Sequence, residues 1–98
     1  MEKRTPHCKL AFVKSLVAVG KVRATRAAML GATEMGFELP DMLAAIVALT
    51  AADFYKSMTT HADTTIWQDV YRPSTQLGNV YLKLTVIEDV LIVSFKEL

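Results

Sequence analysis

Near Asp53 the apolar pattern of this 98-residue chain changes from a helical repeat to strict alternation, and that change restricts the architectures open to it. Beyond it, Val80, Leu82, Leu84 and Val86 alternate with Tyr81, Lys83 and Thr85, which puts an almost purely apolar set on one face of a strand over Asn79–Ile87. Thr65–Arg72 alternates too, with Ile66, Gln68, Val70 and Arg72 facing one way and Thr65, Trp67, Asp69 and Tyr71 the other. Gln68 and Arg72 then share a face, roughly 13 Å apart at about 3.3 Å per residue. Glu88-Asp89 is short enough for a hairpin loop, so Val90–Lys96 returns antiparallel as a mostly buried strand. The polar run Thr59–Thr64 is loop.

Before Asp53 the spacing is helical. Thr5-Pro6 marks the approach to a first helix, in which Leu10, Val13, Leu16 and Val17 fall on one side and which Gly20 ends. Thr25 offers an N-cap oxygen to a second helix, Arg26–Met35, with Gly36 free to take the left-handed conformation at its close. Pro40 suits the first turn of a third helix, Asp41–Leu49, whose Met42, Ile46 and Leu49 share a face. Thr50-Ala51-Ala52-Asp53 resembles a capping box with Asp in place of Glu. It predicts either one more helical turn through Phe54, Tyr55 and Lys56 or an extended segment opening at Lys56. Helices first and strands last predict an α+β fold, with N-terminal helices (about 8–52) packed on a C-terminal antiparallel sheet (about 53–98) in one domain spanning 1–98.

Composition narrows the function. Apolar residues make up 52% of the chain, enough for a real core, and a single cysteine, Cys8, excludes an internal disulfide and a Cys-rich zinc site. Only His7 and His61 are available as imidazole ligands, so neither a metal nor another cofactor is expected. No apolar run approaches the roughly 18 to 20 residues of a membrane helix, which makes the cytoplasm the expected location, without membrane contact. The net charge of +1 does not describe a polycation, but its distribution is uneven. Lys3, Arg4, Lys9, Lys14, Lys21, Arg23 and Arg26 face one acid, Glu2, in the N-terminal quarter, so a basic surface has to combine that segment with selected sheet positions. For Lys14 and Lys21 the expectation is a solvated face, and for Asp69 a salt bridge.

No Walker loop, dinucleotide fingerprint, HExxH pair or glycine-flanked serine elbow is present. What remains is a set of cationic and amide side chains with a tyrosine hydroxyl on strands: Lys56, Gln68, Arg72, Tyr81, Lys83 and Lys96. Such a set suits phosphodiesters, because Arg and Lys bind phosphate oxygens and offset the charge that grows in the transition state. RNA carries its own nucleophile in the 2′-hydroxyl, so no protein nucleophile or metal is obligatory. A lysine acting as base needs its pKa depressed by neighbouring cations.

Four collinear blocks, DFYKSMTT (Asp53–Thr60), IWQDVYRP (Ile66–Pro73), VYLK (Val80–Lys83) and DVLIVSFK (Asp89–Lys96), resemble the motility quorum-sensing regulator (MqsR) family of toxins, as does the opening MEKRTPH. The resemblance implies a RelE-like toxin fold and a metal-independent, ribosome-independent endoribonuclease that cuts single-stranded mRNA at GC-containing sites such as GCU. It implies catalytic positions at Lys56, Gln68, Arg72, Tyr81 and Lys96; Lys83 and Tyr55 are the expected substrate-binding residues beside them. It also implies a cognate MqsA-like antitoxin, zinc-binding and helix-turn-helix, through which alone the chain meets DNA. The alternative is a catalytically inactive RelE-like module that only binds an antitoxin.

Overall fold

In the computed structural model, which describes residues 1–98, the helices α1 (Leu10–Ala18), α2 (Arg26–Met35) and α3 (Leu39–Val47) lie on one side of a mixed sheet. The strands are β1 (Glu2–Lys3), β2 (Val22–Ala24), β3 (Phe54–Thr59), β4 (Trp67–Tyr71), β5 (Ser74–Thr75), β6 (Gly78–Ile87) and β7 (Asp89–Glu97). Their order is β1-β3-β4-β6-β7-β2, with β5 a short ladder on β6. The C-terminal strands pair antiparallel, as the alternation predicts. No helix is long and apolar enough to cross a membrane.

The core lies between the helices and one face of β4, β6 and β7. Val13, Leu16 and Val17 of α1, Ala28 and Ala32 of α2, and Met42 and Ile46 of α3 meet Tyr71, Val80, Leu82, Leu84, Val90, Ile92 and Phe95 there. Each fully buried Val, Leu, Ile or Met in that set contributes about 1.5–3 kcal/mol relative to exposure, so the alternation in β6 is a strong determinant of which face is inside. The helix ends follow local chemistry. Thr25 caps α2 by accepting from the Ala28 N–H at 3.1 Å, and Gly36 closes it at φ 93°. The Glu88 turn between β6 and β7 takes φ 65°, a left-handed conformation without glycine.

The N-terminal half is less purely helical than its spacing predicts. Thr5-Pro6 does not begin α1, which starts at Leu10. The residues before it form β1, antiparallel to β3 with Glu2 opposite Met58 and Lys3 opposite Ser57. Val22–Ala24 runs parallel to β7 as the other edge strand. Neither short strand has enough length to show a period-two signal, and both exist because a sheet edge is there to receive them. α3 begins two residues before Asp41, since Asp41 serves as N3 and accepts from the Glu38 N–H at 2.8 Å. The Thr50–Asp53 box forms, with the Thr50 N–H donating to Asp53 at 2.8 Å, but it supports only a 3-10 turn, Ala51–Asp53, and Phe54–Lys56 are strand rather than helix.

Candidate active site

The face of the sheet turned away from the helices carries the polar residues. Lys56 pairs with Val70, Val70 with Lys83 and Lys83 with Ser94, so one row crosses β3, β4, β6 and β7. Tyr81 pairs with Lys96 in the adjacent row, and the Lys96 ammonium lies 5.3 Å from the Tyr81 ring centre. Val70 is fully buried although it faces away from the core, flanked by two lysines whose aliphatic stems suit such apolar cover.

Two β-bulges build this face. The register shifts between Phe54 and Lys56, which lets Phe54 pack edge-on against buried Tyr71 while Tyr55 and Lys56 both attend the open face. The Arg72 guanidinium then sits 4.5 Å, and the Lys56 ammonium 5.5 Å, from the Tyr55 ring centre. The second shift follows Ile92: Leu84 pairs with Ile92 but Lys83 with Ser94, leaving Val93 as the extra residue. Without it, alternation places Lys96 on the core face with Ile92; with it, Phe95 is buried and Lys96 is exposed beside Tyr81. The Val93 carbonyl accepts from the Thr25 hydroxyl at 2.9 Å, so the α2 cap also supports the bulge.

Of the residues singled out from sequence, Tyr55, Lys56, Arg72, Tyr81, Lys83 and Lys96 share this face as one cation–aromatic cluster. Gln68 shares the face but stands beside Met58, on the other side of Val70 from Arg72. Lys56 and Lys83 titrate oppositely. A carboxylate that sequence reasoning did not assign, Glu2, accepts from Lys56 at 2.6 Å, and this hydrogen bond and charge raise the Lys56 pKa above its ordinary value while lowering that of Glu2. Burial lowers the Lys83 pKa, and the charge of Lys96 adds to the shift. The lysine with depressed basicity is therefore Lys83, not Lys56.

Asp69 forms no salt bridge. The residue is 2% exposed, and its carboxylate accepts the His7 and Cys8 N–H groups, each at 3.0 Å, and so ties the N-terminal segment to β4. His7 then stacks on Trp67 at 5.6 Å, with the Lys3 ammonium 4.1 Å from the Trp67 ring, which makes Trp67 an anchor for that segment. The groove between α3 and Pro73–Leu77 holds none of the candidate residues, so the site is an open sheet surface.

Such a surface admits a chain-like anion, with phosphates on the ammonium and guanidinium groups and bases against the tyrosine rings. The model of the family described as motility quorum-sensing regulator, toxin of MqsA, matches residues 5–97. The mRNA interferase toxin MqsR of Escherichia coli (strain K12) is 62% identical over 97 residues, covering 99% of both chains. With a model match and an identity that each span nearly the whole length, this chain belongs to the motility quorum-sensing regulator family of toxins.

Proposed function

We propose that this chain is an mRNA interferase, an endoribonuclease that cuts single-stranded mRNA on the open face of the sheet. The observation that carries the reading is the convergence of Lys56, Arg72, Tyr81, Lys83 and Lys96 from β3, β6, β7 and the end of β4 onto one uncovered surface, in a chain 62% identical to an mRNA interferase toxin. In the reaction the 2′-oxygen attacks the adjacent phosphorus, the P–O5′ bond breaks, and a 2′,3′-cyclic phosphate and a 5′-hydroxyl result. One proton leaves the 2′-hydroxyl and one is delivered to the 5′-oxygen.

Arg72 and Lys56 bind the scissile phosphate and offset its growing charge. Lys56 gives one N–H to Glu2 and keeps its other ammonium donors for the phosphate. Tyr81 positions a base or donates the proton, Lys96 beside it adds positive field or takes part in proton transfer, and Gln68 orients the ribose or phosphate. Lys83 and Tyr55 extend substrate binding. The finer expectations, a GC-containing site such as GCU, independence from ribosome and metal, a cytoplasmic location, and a zinc-binding, helix-turn-helix antitoxin of the MqsA type as partner, belong to the same proposal.

The test is cleavage of a synthetic GCU-containing RNA and its all-DNA counterpart in EDTA, by the parent chain and by Arg72→Ala. The expected outcome is cleavage of RNA alone, slowed by about 100-fold or more in the variant, the usual scale for removing one charge-stabilising donor. A folded protein that leaves diverse RNAs intact, or a variant that cuts as fast as the parent, defeats the catalytic assignment and favours an inactive antitoxin-binding module.

A further inference from the structure

The cation cluster continues past the residues just named, onto the N-terminal segment. Pairing of β1 with β3 places Glu2 opposite Met58, and two residues on, the Arg4 guanidinium reaches the Tyr55 carbonyl at 3.5 Å and lies 5.6 Å from the Tyr55 ring centre. Three cations, Arg4, Lys56 and Arg72, therefore surround one exposed ring at 4.5 to 5.6 Å. A cation over an exposed aromatic ring gains little, so the ring alone does not compensate the two guanidiniums gathered around it. Glu2 is near enough to Arg4 to feel its charge, but its carboxylate is hydrogen-bonded to Lys56. Arg4 belongs to neither of the chain's two ion pairs, Lys56–Glu2 and Arg23–Asp89. A further anion supplies the countercharge that Arg4 lacks.

Arg4 is also held in place. The Thr59 N–H donates to the Met1 carbonyl at 3.0 Å on one side of it, and Asp69 holds the His7 and Cys8 amides on the other. The guanidinium uses one of its donors on Tyr55, and the rest are free for a phosphate.

We propose that Arg4 and Arg72 form a phosphate subsite around Tyr55, so that RNA runs across the sheet from β7 to β1 and Arg4 holds the phosphate next to the scissile one. The four strand spacings from β7 to β1 span about 19 Å, long enough for several nucleotides of single strand. The inference rests on the reading of this face as the RNA-cleaving surface.

The probe is a GCU-containing 2′-O-methyl oligonucleotide, which keeps the phosphates but has no free 2′-hydroxyl, with its affinity measured over a salt series. Arg4→Gln is expected to weaken binding by about three- to tenfold at low salt and to reduce the slope of log affinity against log salt by about 0.7, the share of one phosphate on a single strand. Arg4→Lys restores the slope, and Lys21→Gln, on an exposed side chain outside the cluster, leaves affinity and slope at the parent values. If Arg4→Gln keeps the parent slope while Arg72→Ala loses affinity, the Arg4 subsite is wrong and the cleavage face stands. If neither variant changes binding, and Arg72→Ala also cuts like the parent, the face itself is not the RNA site and both readings fall.

Discussion

Lys56 and Lys83 lie in one row of the sheet, yet their environments push their titrations apart. Lys56 has a carboxylate at 2.6 Å that favours its charged form, whereas Lys83 is partly buried and has another ammonium, Lys96, nearby. With the Lys83 pKa below the ordinary lysine value, its ammonium is lost on alkalinisation before an unperturbed lysine titrates. If Lys83 contacts substrate as a cation, affinity for a 2′-O-methyl RNA falls in that range. Lys83→Arg keeps the charge at every accessible pH, so its alkaline limb is expected to move upward. Identical limbs in a titration from about pH 7 to 10.5 would remove Lys83 from the binding surface.

At the scale of elements, the tightest joint is between α2 and β7. A Cβ at Gly31 meets the Phe95 carbonyl oxygen at 2.1 Å, a distance only a backbone shift can relieve. Helix propensity favours alanine over glycine by about 1 kcal/mol, but overpacking that forces a backbone shift costs about 1–3 kcal/mol. With a clash this short calling for the upper end of that range, Gly31→Ala is expected to destabilise the fold by about 2 kcal/mol net in urea unfolding, and also to slow RNA cleavage, because the displaced strand carries Lys96 beside Tyr81. A variant as stable as the parent would show that α2 and β7 separate more readily than this contact allows. Nothing in the helical spacing of Arg26–Met35 marks Gly31 as special, since its role depends on a strand more than sixty residues away.

At the scale of the molecule, the sheet is closed at its β3 edge by residues that precede every helix. Asp69 is the fastener, because its buried carboxylate satisfies two amides of the incoming chain. Asp69→Ala leaves those amides without their acceptor and is expected to cost about 1–3 kcal/mol, with faster hydrogen exchange at His7 and Cys8. Unchanged exchange there would mean that stacking of His7 on Trp67 is enough to hold the segment.

The helix spacing, the Thr25 and Gly36 caps and the alternation of β6 were legible residue by residue, because each depends on neighbours a few positions away. So was the shared face of Gln68, Val70 and Arg72, which needs only the period of a strand. The candidate residues themselves came from residue type and from likeness to a family, while their assembly did not follow from local rules. Whether Lys96 joins Tyr81 depends on the bulge at Val93, and whether Tyr55 joins Arg72 depends on the bulge before Lys56. The places of Glu2 and Arg4 depend on an edge strand too short to have a period of its own, and the partners of Asp69 depend on the segment that follows it. Local sequence determined which segments are helix or strand and which side of each is apolar. Tertiary structure decided the register, the bulges and the edges, since those are set by pairings between residues distant in the chain.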